Sequence, residues 1–282
     1  MEHSSSVATE HLLPDWLERL LEDCQEEAIQ HRIHPVILIK GESRVAVWNL
    51  CAQLGFKNHE LPGQACRILE RYLSIVIAQN YMCLNREDWV AYRASLMKRV
   101  PLLIATCVQL AAKMCHSGAK VNATIIRSKL IGAGVNFTVD EINATEFEVY
   151  STLEFKIPLW TNVETAQLLA LEVGITSENF TAVAATVDLA EFKREFIEQK
   201  VRDTVKLSTF ENKRSRVCTL HLAAGAVVAV ARVLHLPEPE PAARLAELTR
   251  APLAYVKCIG DVICTIILDS DDPPAKRRKT HV

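Results

Sequence analysis

Two runs constrain what this chain can fold into more than any others: Lys98–Cys115 and Arg216–Leu234. Each reads as a helix carrying apolar residues on nearly every face. In the first, Leu103, Cys107, Leu110, Ala111 and Met114 share a face, and Thr106, Gln109 and Lys113 form the only polar strip. A helix at a protein surface keeps a polar half, so a helix apolar all round must be wrapped by other elements or by lipid. The chain has no uninterrupted apolar run of bilayer length, about 20 residues. Leu222–Ala231, the most apolar run, is closed by His221 and Arg232. Both runs are therefore expected to be the enclosed central helices of two modules, with no membrane involved. The 282 residues suffice for two domains of the usual ~100–150 residues.

The remaining sequence supplies helices to do the wrapping. Gly is scarce, aromatics are few, and Ala, Leu, Glu and Val dominate, which favours packed helices over sheet. The first eight residues, mostly polar, are expected to be disordered; Asp15 then opens a helix that ends near His34-Pro35, since the residue before proline leaves the helical region. Helices are expected over Glu42–Leu54, stopped by Gly55, and from Leu61-Pro62 to about Ala78. A polar loop is expected from Asn85 to Arg93. A helix starting at Asn122 or Thr124 stops at Gly132 and Gly134, and Ile157-Pro-Leu-Trp160 reads as a linker. Beyond it, helices are expected over Val163–Val173, Phe180–Lys206, Ala242–Leu248 and Leu253–Leu268, with Pro237, Pro239 and Pro241 marking a turn. Asp269–Val282 is charged, proline-containing and expected to be disordered.

One segment adds a chemical anomaly. Thr138 followed by Glu141 is a capping box, so a helix begins there. At 100° per residue, Ile142, Val149 and Leu153 fall in one narrow stripe, and Glu146 falls inside it while Glu148 does not. A carboxylate on a packing face needs a partner, because an unpaired buried charge is very costly.

Several functions find no support. The net charge of −2 provides no global basic field for nucleic acid or an anionic membrane. The nine cysteines contain no Cys-x-x-Cys pair, and the chain lacks a charged-then-apolar start, so a reducing compartment is expected. The Asn-x-Thr sequences at Asn122, Asn136, Asn143 and Asn179 then read as helix caps rather than glycan acceptors. Close clusters of metal-ligand types, such as His31-Arg-Ile-His34 and Cys115-His116, do not supply four ligands, so no metal is expected. Gly132-Ala-Gly134 lacks the strand and third glycine of a nucleotide loop. With no nucleophile motif or catalytic constellation, the chain reads as a binding protein, not an enzyme, with no cofactor.

Three segments in order resemble a cyclin box: Ile68-Leu-Glu-Arg-Tyr-Leu-Ser74, Val108-Gln-Leu-Ala-Ala-Lys113, and Phe137-Thr138 through Glu146 to Leu153-Glu-Phe155. The resemblance is closest to the cyclin N-terminal domain-containing proteins that act at meiotic crossovers. It covers roughly residues 40–160. It implies an all-α protein of two tandem cyclin-like modules: an N-terminal tail and helix (1–39), a cyclin box (40–158), a degenerate second cyclin-like fold (159–268) and a disordered tail (269–282). In the family, a Lys ending the central helix and a Glu on the fifth helix of the box contact the kinase, and these positions correspond to Lys113 and Glu146. From pattern alone, Lys113 reads equally as a cation placed to suit a helix C-terminus, and Glu146 as an acid at the solvent edge of its stripe. Two departures stand out. Met114-Cys115-His116 replaces the acids that often follow the Lys. Lys40-Gly-Glu-Ser-Arg44 aligns with the apolar substrate-docking patch, so Arg-x-Leu peptides are not expected to bind.

The resemblance therefore implies a non-catalytic regulator that binds a cyclin-dependent-kinase-type partner and promotes crossover maturation, with recombination and ubiquitin-ligase factors as further partners. Pro273-Pro-Ala-Lys-Arg-Arg-Lys279 adds an expected nuclear import signal, carried by Lys276, Arg277, Arg278 and Lys279. A nucleic-acid-associated adaptor with cyclin-fold modules is the alternative, although it would need a basic face. A kinase-independent scaffold for recombination factors is the third reading.

Overall fold

Eleven consecutive residues, Leu102 to Ala112, are buried, and the helix that carries them organises everything between residues 36 and 162. The structure is a computed structural model and describes residues 4–33, 37–115, 121–157, 160–204, 216–235 and 241–270. Among the described residues all regular structure is helical. The helices are α1 (Ser4–Ile33), α2 (Gly41–Gln53), α3 (Glu60–Cys83), α4 (Arg86–Met114), α5 (Ala123–Gly132), α6 (Val139–Thr152), α7 (Asn162–Leu171), α8 (Phe180–Phe192), α9 (Arg194–Thr204), α10 (Thr219–Val233), α11 (Pro241–Leu248) and α12 (Leu253–Ser270), with one 3-10 turn at Ser177–Asn179.

The chain divides into two units, one of residues Val36–Asn162 and one joining Met1–Pro35 to Val163–Val282. In the first, α2, α3, α5 and α6 all pack on α4. Leu103, Cys107 and Val108 meet Leu61, Ile68 and Leu69 of α3 in one cluster, which Val149 of α6 and Leu153 just past its end complete. Leu102 and Ala105, on another face of α4, meet Ile126, Leu130 and Ile142 in a second. α4 is long and apolar enough to pass for a membrane span, but its apolar stretch is buried by its own unit.

Local chemistry explains where these helices begin. Thr138 and Glu141 form the expected capping box, with Glu141 N–H donating to Thr138 Oγ1 at 3.1 Å and Thr138 N–H to Glu141 Oε2 at 2.7 Å. Asn122 caps α5, its side chain accepting from Ile125 N–H at 3.0 Å. The other three sequon asparagines do not cap: Thr138 rather than Asn136 caps α6, Asn143 lies inside α6, and Asn179 precedes α8 without a side-chain bond.

Three expectations about helix limits are corrected. The polar loop Asn85–Arg93 is instead the start of α4. Asn85 caps it, its Oδ1 accepting from Glu87 and Asp88 N–H at 3.0 and 2.9 Å, and those acids suit the helix N-terminus. These residues are polar because the first turns of α4 are exposed, not because they are irregular. Second, α3 runs on to Cys83 rather than ending at Ala78. Third, α1 is helical from Ser4, inside the stretch expected to be disordered.

The second unit is built round α10, in which Thr219, Leu220 and Leu222–Ala231 are buried. Helices α1, α8, α11 and α12 pack on it. The single helix expected over Phe180–Lys206 breaks at Lys193 into α8 and α9. Arg194, just past the break, is buried and donates to Glu198 (3.2 Å), Glu191 (3.3 Å) and Glu27 (3.1 Å), while Arg216 donates to Glu198 at 3.3 Å. Glu27 of α1 also accepts from Thr219 N–H at 2.8 Å and Thr219 Oγ1 at 3.0 Å, so a side chain of α1 caps α10. This capping explains why α1, expected to stand apart as residues 1–39, groups with α7–α12.

Helices α10 and α12 meet through glycines. A Cβ on Gly225 would overlap Ile259 and lie 2.7 Å from its Cβ, and one on Gly260 would lie 2.9 Å from Val228 Cβ. Neither obstacle is the end of a flexible chain, so the helices themselves would have to separate. Gly225→Ala is expected to destabilise the protein by about 1–3 kcal/mol, as overpacked cores do, even though alanine is the better helix former. Thermal unfolding beside a control alanine at the exposed Gly132 checks this. A Gly225→Ala melting temperature equal to wild type would mean that the helix contact is looser than drawn.

Candidate functional site

The anomalous acid of α6 finds its partners on α4. Lys113 Nζ donates to Glu146 Oε1, and Gln109 Nε2 donates to Oε2 at 2.7 Å. The two residues that the cyclin resemblance pointed to are thus brought together. Glu146 is largely buried, its side chain 17 % exposed, whereas Lys113 is 49 % exposed at the C-terminal end of α4. The polar strip of α4 is not a solvent strip: Thr106 and Gln109 are buried, and only Lys113 reaches water. Gln109 therefore serves as an internal anchor that fixes the carboxylate from beneath while the ammonium approaches from the rim. An exposed ion pair contributes only about 0–1 kcal/mol. The buried amide has more at stake, because a buried donor left without a partner costs about 1–3 kcal/mol.

Two residues on, Glu148 makes a second clasp. Residues two apart on a helix lie about 200° apart around its axis, so Glu148 reaches a different part of α4. Arg99 donates to both its oxygens, Nη1 to Oε1 at 3.3 Å and Nη2 to Oε2 at 2.5 Å, and the buried Tyr72 hydroxyl donates to Oε1. Partial burial opposes ionisation of Glu148, but the hydrogen bonds from Arg99 and Tyr72 outweigh it and hold the carboxyl below its usual range. Burial, then the bond to Glu148, pushes the Tyr72 hydroxyl far up. On opposite flanks α6 thus carries two acids, each fixed by a cation from α4.

Beside these clasps lies an exposed aromatic. Phe147 is 66 % exposed, directly between Glu146 and Glu148 in sequence. The stretch Lys40–Arg44, aligned above with an apolar docking patch, leaves Lys40 and Glu42 in water and buries Arg44. The basic block Lys276, Arg277, Arg278 and Lys279 lies outside the described residues, as do His34 and His116.

Sequence reasoning missed two groupings. The Arg99–Glu148–Tyr72 clasp was hidden because Glu148 lies off the apolar stripe; the available signal was the seven-residue spacing of Arg99, Thr106 and Lys113, which puts them on one face of α4. The metal expectation rested on close clusters in sequence. The structure instead gathers Cys24, Cys218 and His221, whose ligand atoms lie within 4.8 Å of one another. No family model matches this chain, and no curated protein does either.

The Glu148 clasp makes a pH prediction. Its folded-state pKa lies below the unfolded one, so its contribution is present at neutral pH and is lost as pH falls from the ordinary carboxylate value, about 4.3, through the lower folded value. Glu148→Gln is expected to cost about 1 kcal/mol at pH 7, and the difference from wild type should shrink in acid. A gap in melting temperature that stays constant down to about pH 3 would contradict the clasp.

Proposed function

We propose that this protein is a non-catalytic, cyclin-like regulator whose first unit binds a cyclin-dependent-kinase-type partner through the face carrying Lys113 and Glu146. The observation that carries this reading is the clasp itself. A lysine at the open end of the enclosed helix meets a glutamate on the fifth helix of a five-helix unit, α2–α6, and a buried glutamine holds that glutamate in place. These are the positions at which the cyclin resemblance puts kinase contacts. The exposed Phe147 next to the pair supports the same face, since interface centres favour aromatic anchors ringed by polar groups. The second unit, with α10 enclosed as α4 is, fits a degenerate second cyclin-like fold.

The setting that follows from the resemblance is meiotic prophase, where the regulator would promote maturation of designated crossovers by activating its kinase or by gathering recombination and ubiquitin-ligase factors. The block Lys276-Arg-Arg-Lys279 would supply nuclear import, and replacing those four residues with alanine should shift the protein to the cytoplasm without altering its melting temperature.

Capture from germ-line nuclear extract tests the binding face. Tagged wild-type protein is expected to retain a kinase, and Phe147→Ala to retain at least fivefold less, because anchor truncations commonly cost more than about 1 kcal/mol. Glu146→Lys should abolish retention while lowering stability by about 1–3 kcal/mol, mainly through the stranded Gln109 amide. A folded Glu146→Lys protein that keeps its kinase would sink this interface and favour the scaffold reading.

A further inference from the structure

The second unit holds a group of side chains that the partner-binding reading does not use. Cys24 lies on α1, Cys218 sits at the N-cap of α10, and His221 follows one turn later. Their two sulfurs and an imidazole nitrogen all lie within 4.8 Å of one another, and Cys24 Sγ is 3.9 Å from His221 Nε2. Zinc bonds of about 2.3 Å to sulfur and 2.0–2.1 Å to nitrogen, at tetrahedral angles, put neighbouring ligand atoms about 3.5–3.8 Å apart. The three atoms are already close to that spacing.

We propose that Cys24, Cys218 and His221 bind a zinc ion that pins the N-terminal helix to the central helix of the second unit. Two thiolates and an imidazole are the borderline-soft donors zinc prefers. Two thiolates also neutralise a divalent cation, so the filled site adds no net charge to an interior that already holds the Arg194 and Arg216 ion pairs. Both cysteines are at most 9 % exposed, while His221 is partly open, which leaves a route for the ion. The surroundings favour the pose. The His221 ring stands edge-on to Tyr255 with centroids 5.5 Å apart, and Cys218 Sγ, which as a thiol donates to the Cys24 carbonyl at 3.7 Å, gives up that bond with its proton when it takes the ion as a thiolate. Glu27, one turn after Cys24, is not the fourth ligand, because its carboxylate is taken by Thr219 and Arg194. The fourth position falls to water. Cys218 and His221 are three residues apart, but Cys24 lies 194 residues from Cys218, so no spacing motif could reveal the set.

The site is independent of the kinase reading and is tested without it. Full-length protein, made in zinc-supplemented medium and purified under reductant, is analysed for zinc and copper. About one zinc per chain is expected, with Cys24→Ser and Cys218→Ser each losing at least nine-tenths of it and Cys83→Ser, at an exposed thiol, losing none. If the serine variants do not fold, wild-type protein alone decides. Cobalt(II) added to metal-free chain should give thiolate-to-cobalt charge transfer and intense tetrahedral visible bands, and zinc should protect Cys24 and Cys218 selectively from alkylation. Three results would overturn the proposal: wild-type protein that stays metal-free at saturating zinc, zinc retained undiminished by Cys218→Ser, or a site found holding copper or closed as a Cys24–Cys218 disulfide.

Discussion

The burial of α4 is the constraint on which the first unit depends. Leu102 to Ala112 present no face to water, so helices must cover every side of that stretch, and α2, α3, α5 and α6 do so. Burying one Leu or Val side chain contributes about 1.5–3 kcal/mol, and α4 supplies several in a row. The same enclosure has a polar cost. Thr106 and Gln109 are carried into the interior with the apolar residues, and the Gln109 amide nitrogen finds its acceptor in Glu146. The acid that looked misplaced on α6 is thus explained by the helix it covers. The proposed binding face follows from the core: Glu146 is held from below by a buried amide and from the side by Lys113, at the point where α4 emerges into solvent.

The second unit solves the same problem with smaller residues. In α10, alanine and glycine replace leucine, and Gly225 and Gly260 let α12 approach closely. Its buried charged groups form one ion-paired cluster instead of a strip. Glu27 caps α10, Arg194 and Arg216 pair with Glu27, Glu191 and Glu198, and Cys24, Cys218 and His221 lie near the same helix start. The bonds of Glu27 to Thr219, of Arg194 to the Val217 carbonyl and of Arg216 to Glu198 tie α1 and α9 to the start of α10. The N-terminal helix is therefore an integral part of this unit.

Much of this was legible in the sequence, and the gaps have physical causes. The enclosed helices, the capping box at Thr138 and the pairing demand of Glu146 follow from periodicity and from the cost of burying charge. The start of α4 was misread because exposed helical turns and loops share a polar composition, although Asn85 followed by Glu87 and Asp88 carried the capping signal. The Lys193 break was hidden because residues 180–206 contain no glycine or proline to mark it, and the contacts of Arg194 just past it are tertiary. Periodicity placed Glu146 on a packing face but did not name Gln109 as its partner. Nor could it join Cys24 to Cys218 or Glu27 to Thr219, since those contacts exist only once α1 has docked.

The central claim is that a kinase-type partner sits over the emerging end of α4 and the adjoining face of α6. Amide hydrogen exchange on the captured complex and on the free protein tests it most directly. The account expects exchange to slow on binding in residues 109–114 and 143–149, with α10–α12 unchanged. Protection confined to the second unit, or no protection along α4 and α6, would contradict it.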